Sequence, residues 1–384
     1  MKVFEIAGFI FLMAVAMLSA DGCSKGSPRQ ALERYWKDLE RIDPAKANRH
    51  WLDPSPPNAP ADWHFAPPDD TLARHYASLD RKIEEIEISD RRARLEVILS
   101  DSANQKISLT YHLVNSKGWK LVNPPDYYCD EWVINVLDGL IIKAPPGKMP
   151  GADFYEPLRT MFAHTKTMLE VKDASPITIY LADSPAEVEK LSGSRFQRRM
   201  WFYPAGAALV FAYQNRPLPP NMPLLQARQI AVGLVPILAY RRYGHDSYDV
   251  PLIKYGLAVY FWGADGHTPE VVRLLAAQSG RLDSLPDFAL LFDPELFRSD
   301  VSFYSVVGSL VVDYLIKNYG WSRFNELYSA SERLESFGRT LFREDEIEAL
   351  RDGWRAYLEN FLESAKRQED KIKEFALSNR YRRR

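Results

Sequence analysis

The sequence predicts an α+β protein of two folded modules, and three observations carry that prediction. An amphipathic helical stretch begins near residue 28 and is followed by strand-like segments up to residue 122. A separate strand signal at residues 177–181 opens a second block, and from residue 224 onward the chain reads as helices with apolar faces. A length of 384 residues allows about two or three domains. With 46% hydrophobic and 26% charged residues the chain has a globular composition, which excludes a mainly disordered, collagen-like or coiled-coil protein. Its 49 basic and 51 acidic residues leave a formal charge of −2, so no overall basic field exists to gather nucleic acid.

The first segment reads as an export signal over residues 1–22. Lys2 precedes an apolar run of 13 residues, Ile6 to Leu18. That run is shorter than the roughly 20 residues a bilayer-spanning helix needs and fits the apolar core of a secretory signal. Ala20-Asp21-Gly22-Cys23-Ser24 resembles a bacterial lipoprotein cleavage box, although the family favours a larger aliphatic residue where Ala20 stands, and Asp21 and Glu5 are unusual. The resemblance implies that Cys23 carries the lipid and ties the mature chain to a membrane. Ser24 then favours the outer membrane, facing the periplasm. Cys129 would remain unpaired, in a small buried apolar role.

The first module is expected over residues 27–125. Ser27-Pro28-Arg29-Gln30 is a helix start with a serine cap, proline at the first helical position and glutamine three residues on. Leu32, Tyr35, Trp36 and Leu39 recur on one face until Asp43-Pro44 stops the helix. A proline-rich loop (54–68) and a helical stretch (71–79) follow, then strands at 82–88, 93–99, 106–114 and 118–122. Helix first, antiparallel sheet after, closing on Gly118-Trp119-Lys120-Leu121, this module resembles the cone-shaped fold shared by nuclear transport factor two and ketosteroid isomerase. The resemblance implies a sheet wrapped around a pocket. His112 falls on the face opposite Leu109 and Leu113 and is expected to meet solvent or lie at an edge.

Five prolines between Pro124 and Pro150 mark a linker at 126–153, although Trp132 to Ile142 is apolar enough to pack as an added strand or helix. The second module is expected over 154–362: a helix at 155–170, a strand at 177–181, a capped helix from Ser184-Pro185, strands and a turn in 201–213, and helices at 224–243, 251–262, 303–319, 322–334 and 345–362. Pro236 should kink or end the first of the large helices. A charged tail, expected to be solvated, occupies 363–384.

Three stretches of this second module resemble the peptidase MA-like family, the gluzincin branch of zinc peptidases. Residues 176–184 are similar to its first strand and turn. Leu225-Gln226-Ala227-Arg228-Gln229-Ile230-Ala231-Val232 stands at its active-site helix, and Pro251 to Tyr260 at its P-x-W-L-x-E-G-x-A-x-Y helix. In that family H-E-x-x-H sets two imidazoles on one helix face toward zinc, and the glutamate activates water. Here the first histidine falls on Arg228, the general base on Gln229, the second histidine on Val232 and the third ligand on Tyr255. Arginine has no lone pair for a metal, valine offers no ligand and glutamine accepts no proton from water. The chain is therefore expected to be no enzyme of that kind and to use no cofactor.

The seven histidines are dispersed, and His245-Asp246, between the two helices, is the nearest candidate for a relocated site. No G-x-S-x-G or phosphate-loop motif occurs. Two functional expectations remain: a lipid-anchored, catalytically inactive peptidase-like protein that binds an envelope protein or small ligand, or a hydrolase with a relocated site in the old cleft. The positions Arg228, Gln229, Tyr255 and Lys254 are expected to form a polar patch there. Labelling with a radioactive fatty acid checks the anchor: Cys23→Ser should abolish incorporation and release the protein from membranes, whereas a mature chain that retains Met1 contradicts it.

Overall fold

The computed structural model describes residues 26–41, 46–47, 49–52, 79–102, 106–129, 131–192, 199–203, 207–214, 222–244, 250–265, 267–330 and 344–381. The expected export segment with Cys23, the expected loop at 54–68, residues 71–78 of the next expected helix and the His245-Asp246 pair lie outside them. The chain mixes helix and sheet and divides into two compact units. One comprises Met1–Trp132 with Pro185–Arg198, the other Val133–Ser184 with Arg199–Arg384.

In the first unit, helix α1 (Pro28–Glu40) starts with the reciprocal cap its sequence encodes: Ser27 Oγ accepts the Gln30 amide and the Gln30 side chain accepts the Ser27 amide. Four strands follow as an antiparallel meander in sequence order: β1 (Asp80–Ile88), β2 (Arg92–Ser100), β3 (Lys106–Asn115) and β4 (Trp119–Val122). Alternation along β2 buries Ala93, Leu95, Val97 and Leu99, and these pack with Tyr35 and Trp36 of α1 into one core. Trp51 and Tyr111 join them, with the Tyr35 ring edge-on to both at about 6 Å. Aromatic side chains thus fill this face of the sheet, where the resemblance implied a pocket.

The opposite face departs from expectation at His112. The alternation is as expected, but the imidazole is buried rather than solvated. Short helix α2 (Pro124–Tyr128) covers it, placing the Tyr127 and Tyr128 rings edge-on at 4.8 and 5.5 Å. Cys129 follows, half-buried rather than fully buried, its thiol donating to the Glu131 carbonyl at 3.2 Å.

The second unit begins inside the stretch read as a linker. β5 (Val133–Leu137) and β6 (Leu140–Ala144) form a tight hairpin, turned by Asp138 and Gly139, both with positive φ. Helix α3 (Ala152–Met168) carries the chain across to β7 (Ile177–Ala182), parallel to β6. After β7 the chain leaves for helix α4 (Pro185–Ser192), which groups with the first unit. It returns as β8 (Met200–Tyr203) and β9 (Ala208–Ala212), completing a five-stranded sheet of order β5-β6-β7-β9-β8. The three inner strands are parallel and nearly all buried, and the two edges run antiparallel.

Helices supply the rest of this unit: α5 (Met222–Tyr243), α6 (Pro251–Trp262), α7 (Pro269–Gln278), α8 (Pro294–Ser299), α9 (Val301–Ala330) and α10 (Glu344–Tyr381). α5 continues through Pro236, which does not end the helix. Pro236 and its neighbours Val235 and Ile237 are all buried, so burial in the core outweighs the lost backbone bond there. α9 joins two stretches across Gly320, whose φ of 77° and ψ of 168° break the helix where the sequence separates 303–319 from 322–334. The charged tail is helical as far as Tyr381, with Arg367 over Glu363 one turn apart.

α6 and α9 meet backbone to backbone. A Cβ at Gly256 would lie 2.6 Å from the Gly308 carbonyl oxygen and 2.7 Å from its Cα, and a Cβ at Gly308 would strike the Leu252 carbonyl. Gly233 similarly lets α5 lie on Leu209 and Met200 of the sheet. Gly256→Ala should therefore destabilise the second unit by about 3 kcal/mol, at the upper end for overpacking, because backbone cannot swing aside as a side chain does. Gly233→Ala should cost less, since its obstacles are side-chain ends, and chemical denaturation of the two variants measures both.

Candidate functional site

A cleft of about 540 Å³ opens in the second unit between α5, α6, α7, the first turns of α9 and the β8–β9 hairpin. Gln229 and Val232 reach it from α5 and Tyr255 from α6. Three of the four positions matched to the peptidase ligands and base are thereby brought together. Arg228, half-buried on α5, is not part of the lining, and neither is Lys254, which is buried with its ammonium near the rings of Phe202 and Tyr255. The expected polar patch of four residues is in fact two polar side chains beside a valine.

Tyr255 stands at the third metal-ligand position. Its ring stacks on Phe297 at 5.4 Å with 19° between planes, and Phe202 lies against it at 6.3 Å. Both aromatic neighbours hold it as part of the wall. A zinc ion does not fit these residues, because the α5 face offers an amide and an isopropyl group in place of a carboxylate and an imidazole. Among the described residues no three His, Cys, Asp or Glu side chains gather at metal-binding distance.

The remaining wall is mostly apolar, from Met200, Phe211, Ala258, Val259, Val272 and Val306. Charge sits at the rim. Arg281 donates to Asp300 at 2.8 Å while its guanidinium rests 3.7 Å from the Phe303 ring centroid, and exposed Arg199 lines another part of the opening. The Asp300 carboxylate also accepts the Phe303 amide at 3.1 Å, which caps the start of α9. That amide, then Arg281, holds the Asp300 carboxyl below the usual aspartate range. Two hydroxyls in the cleft are committed to their own helices: Ser305 donates to the Val301 carbonyl at 2.6 Å and Ser279 to Ala276 at 2.7 Å.

Behind the cleft, a buried ionic cluster fixes α7 against α9 and α10. Asp313, on α9, lies 3.6 Å from Arg273 of α7, accepts from Lys317 at 2.7 Å and accepts from Tyr357 of α10 at 2.5 Å. Arg273 donates also to Ser309 and sits over the Tyr260 ring. Burial, then the hydrogen bond to Asp313, pushes the Tyr357 phenol well above its ordinary value, so it stays a donor. Removing the carboxylate would strand a largely buried guanidinium, a change worth about 3–5 kcal/mol.

The sequence reading placed the former ligand positions but passed over α7, which lines the opposite wall, and α8, whose Phe297 backs Tyr255. Both carried usable signals: Thr268-Pro269 and Asp293-Pro294 are cap-plus-proline starts, and in each the cap side chain accepts an amide of the first turn. No known family model matches the chain, and no curated protein matches it.

Asp300 gives the cleft a pH signature. Because its folded pKa is depressed, its contribution to stability is full above the ordinary aspartate pKa of about 4 and is lost as pH falls through the lower folded value. Carboxyl-carbon NMR should show Asp300 titrating below that ordinary value in the wild type, and Arg281→Gln should shift its midpoint upward.

Proposed function

We propose that this is an exported, lipid-anchored protein whose second unit is a zinc-peptidase-like fold without the catalysis, serving as a binding or scaffold module at the cell envelope. The observation that carries the reading is the convergence of Gln229, Val232 and Tyr255 on one cleft. Residues matched from two separate helices to a metal site share a single cavity, yet their side chains can neither ligate zinc nor take a proton from water. The cavity keeps a mostly apolar wall with Arg199, Arg281, Asp265 and Asp300 among its lining, which suits an apolar segment with polar flanks. The partner we envisage is an extended segment of an envelope protein or a small amphipathic ligand. The first unit, with its helix against a four-stranded meander, supports a fold like that of nuclear transport factor two, here with an aromatic core in place of a pocket.

A relocated hydrolase has less support, because the Ser279 and Ser305 hydroxyls of the cleft bond to their own helix carbonyls. Metal analysis and calorimetry test the reading together. Purified protein should hold zinc far below one equivalent, chelator should leave the thermal midpoint unmoved, and restoring a histidine at Arg228 or Val232 alone should confer no zinc binding, since one imidazole does not retain the ion. Stoichiometric zinc surviving dialysis, or peptide cleavage lost to chelator and restored by zinc, overturns it.

A further inference from the structure

The first unit carries a second, differently built cavity on the sheet face opposite its aromatic core. It has a volume of about 590 Å³ and is lined by Glu87, Ser89, Arg92, Arg94, Tyr127, Tyr128 and Lys190. Strand pairing assembles its floor: Glu87, Arg94 and His112 stand opposite one another across β1, β2 and β3. Arg92 and Arg94 share one face of β2, two residues apart. Above them the Tyr127 and Tyr128 rings meet at 4.9 Å and nearly at right angles. Each ring carries a cation, the Arg92 guanidinium 5.5 Å from the Tyr127 centroid and the Lys190 ammonium 4.3 Å from the Tyr128 centroid.

Charge in this cavity is unbalanced. Three cations line it against one carboxylate, Glu87, which is mostly exposed and only loosely paired with Arg94 at 3.9 Å. The Arg94 Nε is shielded from solvent and donates to no acceptor among the described residues. Lys190 pairs with no carboxylate among them either. A shielded donor left this way carries a desolvation penalty that a ligand oxygen would recover.

We propose that this cavity is a binding site for a phosphomonoester. A lining of three cations and one carboxylate suits the charge of about −1.5 to −2 of a phosphomonoester at neutral pH. Three cationic groups arriving from the sheet and from α4 suit the three terminal oxygens of a tetrahedral phosphate better than the planar pair of a carboxylate. The cavity exceeds a phosphate group in size, so it holds part of the esterified alcohol as well, with the tyrosine edges beside it. The site is independent of the reading of the second unit.

Titration calorimetry of the full chain with phenyl phosphate and with benzoate tests the site. Phenyl phosphate should bind saturably and at least about tenfold more tightly than benzoate, and Arg92→Gln, Arg94→Gln and Lys190→Met should each weaken it by about tenfold. Glu87→Gln, an exposed and conservative change, should strengthen binding by removing the competitor for Arg94, a gain that no folding defect imitates. Vesicles of phosphatidylcholine containing phosphatidate distinguish the source: capture that depends on the same three cations, without binding of phenyl phosphate, assigns the site to a lipid headgroup. Failure of both probes, equal affinity for benzoate, or binding indifferent to the three substitutions overturns the proposal.

Discussion

The second unit depends on the crossing of α6 and α9 at Gly256 and Gly308. Packed helices normally keep their axes about 8–10 Å apart because side chains intervene. Here the two glycines remove those side chains, and the helix backbones touch. Everything nearby takes its position from that contact. One residue before Gly256, Tyr255 enters the cleft. One residue after Gly308, Ser309 receives Arg273, and a turn later Asp313 gathers Arg273, Lys317 and Tyr357. Further along, Tyr314 donates to the Leu350 carbonyl and meets Trp354 at 5.8 Å, which seats α10. A cleft wall, an ionic cluster and a terminal helix are thus indexed to one close approach.

Polar groups serve different ends in the two cavities. In the second unit, charges within the fold are matched: Asp313 is surrounded by donors, and Gln226 returns both its amide atoms to the backbone of Gln214, fixing the start of α5. Such pairing pins elements in register more than it adds net stability, since desolvation offsets much of the attraction. The first unit's outer cavity is the reverse case, with three cations and one carboxylate in its lining. There the Arg94 Nε donates to no acceptor among the described residues.

Periodicity made most of the fold legible. The Ser27–Gln30 cap, the alternation of β2 and β3, the Pro251–Trp262 helix and the break at Gly320 all follow from local rules that act within a few residues. What was not legible required a partner distant in sequence. Val133 to Ala144 lay in a stretch read as a linker that could add a strand or a helix, and the choice of strand is completed only by pairing with β7. His112 read as solvated because nothing in β3 announces that Tyr127 and Tyr128 will fold back over it. The cleft was legible on one side, through positions in α5 and α6, and not on the other. The basic cavity was invisible, as Lys190 stands nearly a hundred residues from Arg94.

The passage of the chain through α4 makes the first unit discontinuous: it is built from residues before 133 and from residues 185–198. Three covalent crossings therefore join the units, after residues 132, 184 and 198. During synthesis, which delivers the chain from its N-terminus, the first unit waits for its last helix until β5, β6, α3 and β7 have already emerged. The two units are thereby kinetically interleaved, and neither can be spliced out as one contiguous segment. Recombination that exchanges whole modules at a single junction would leave the first unit without Lys190, so the pair is inherited as one block.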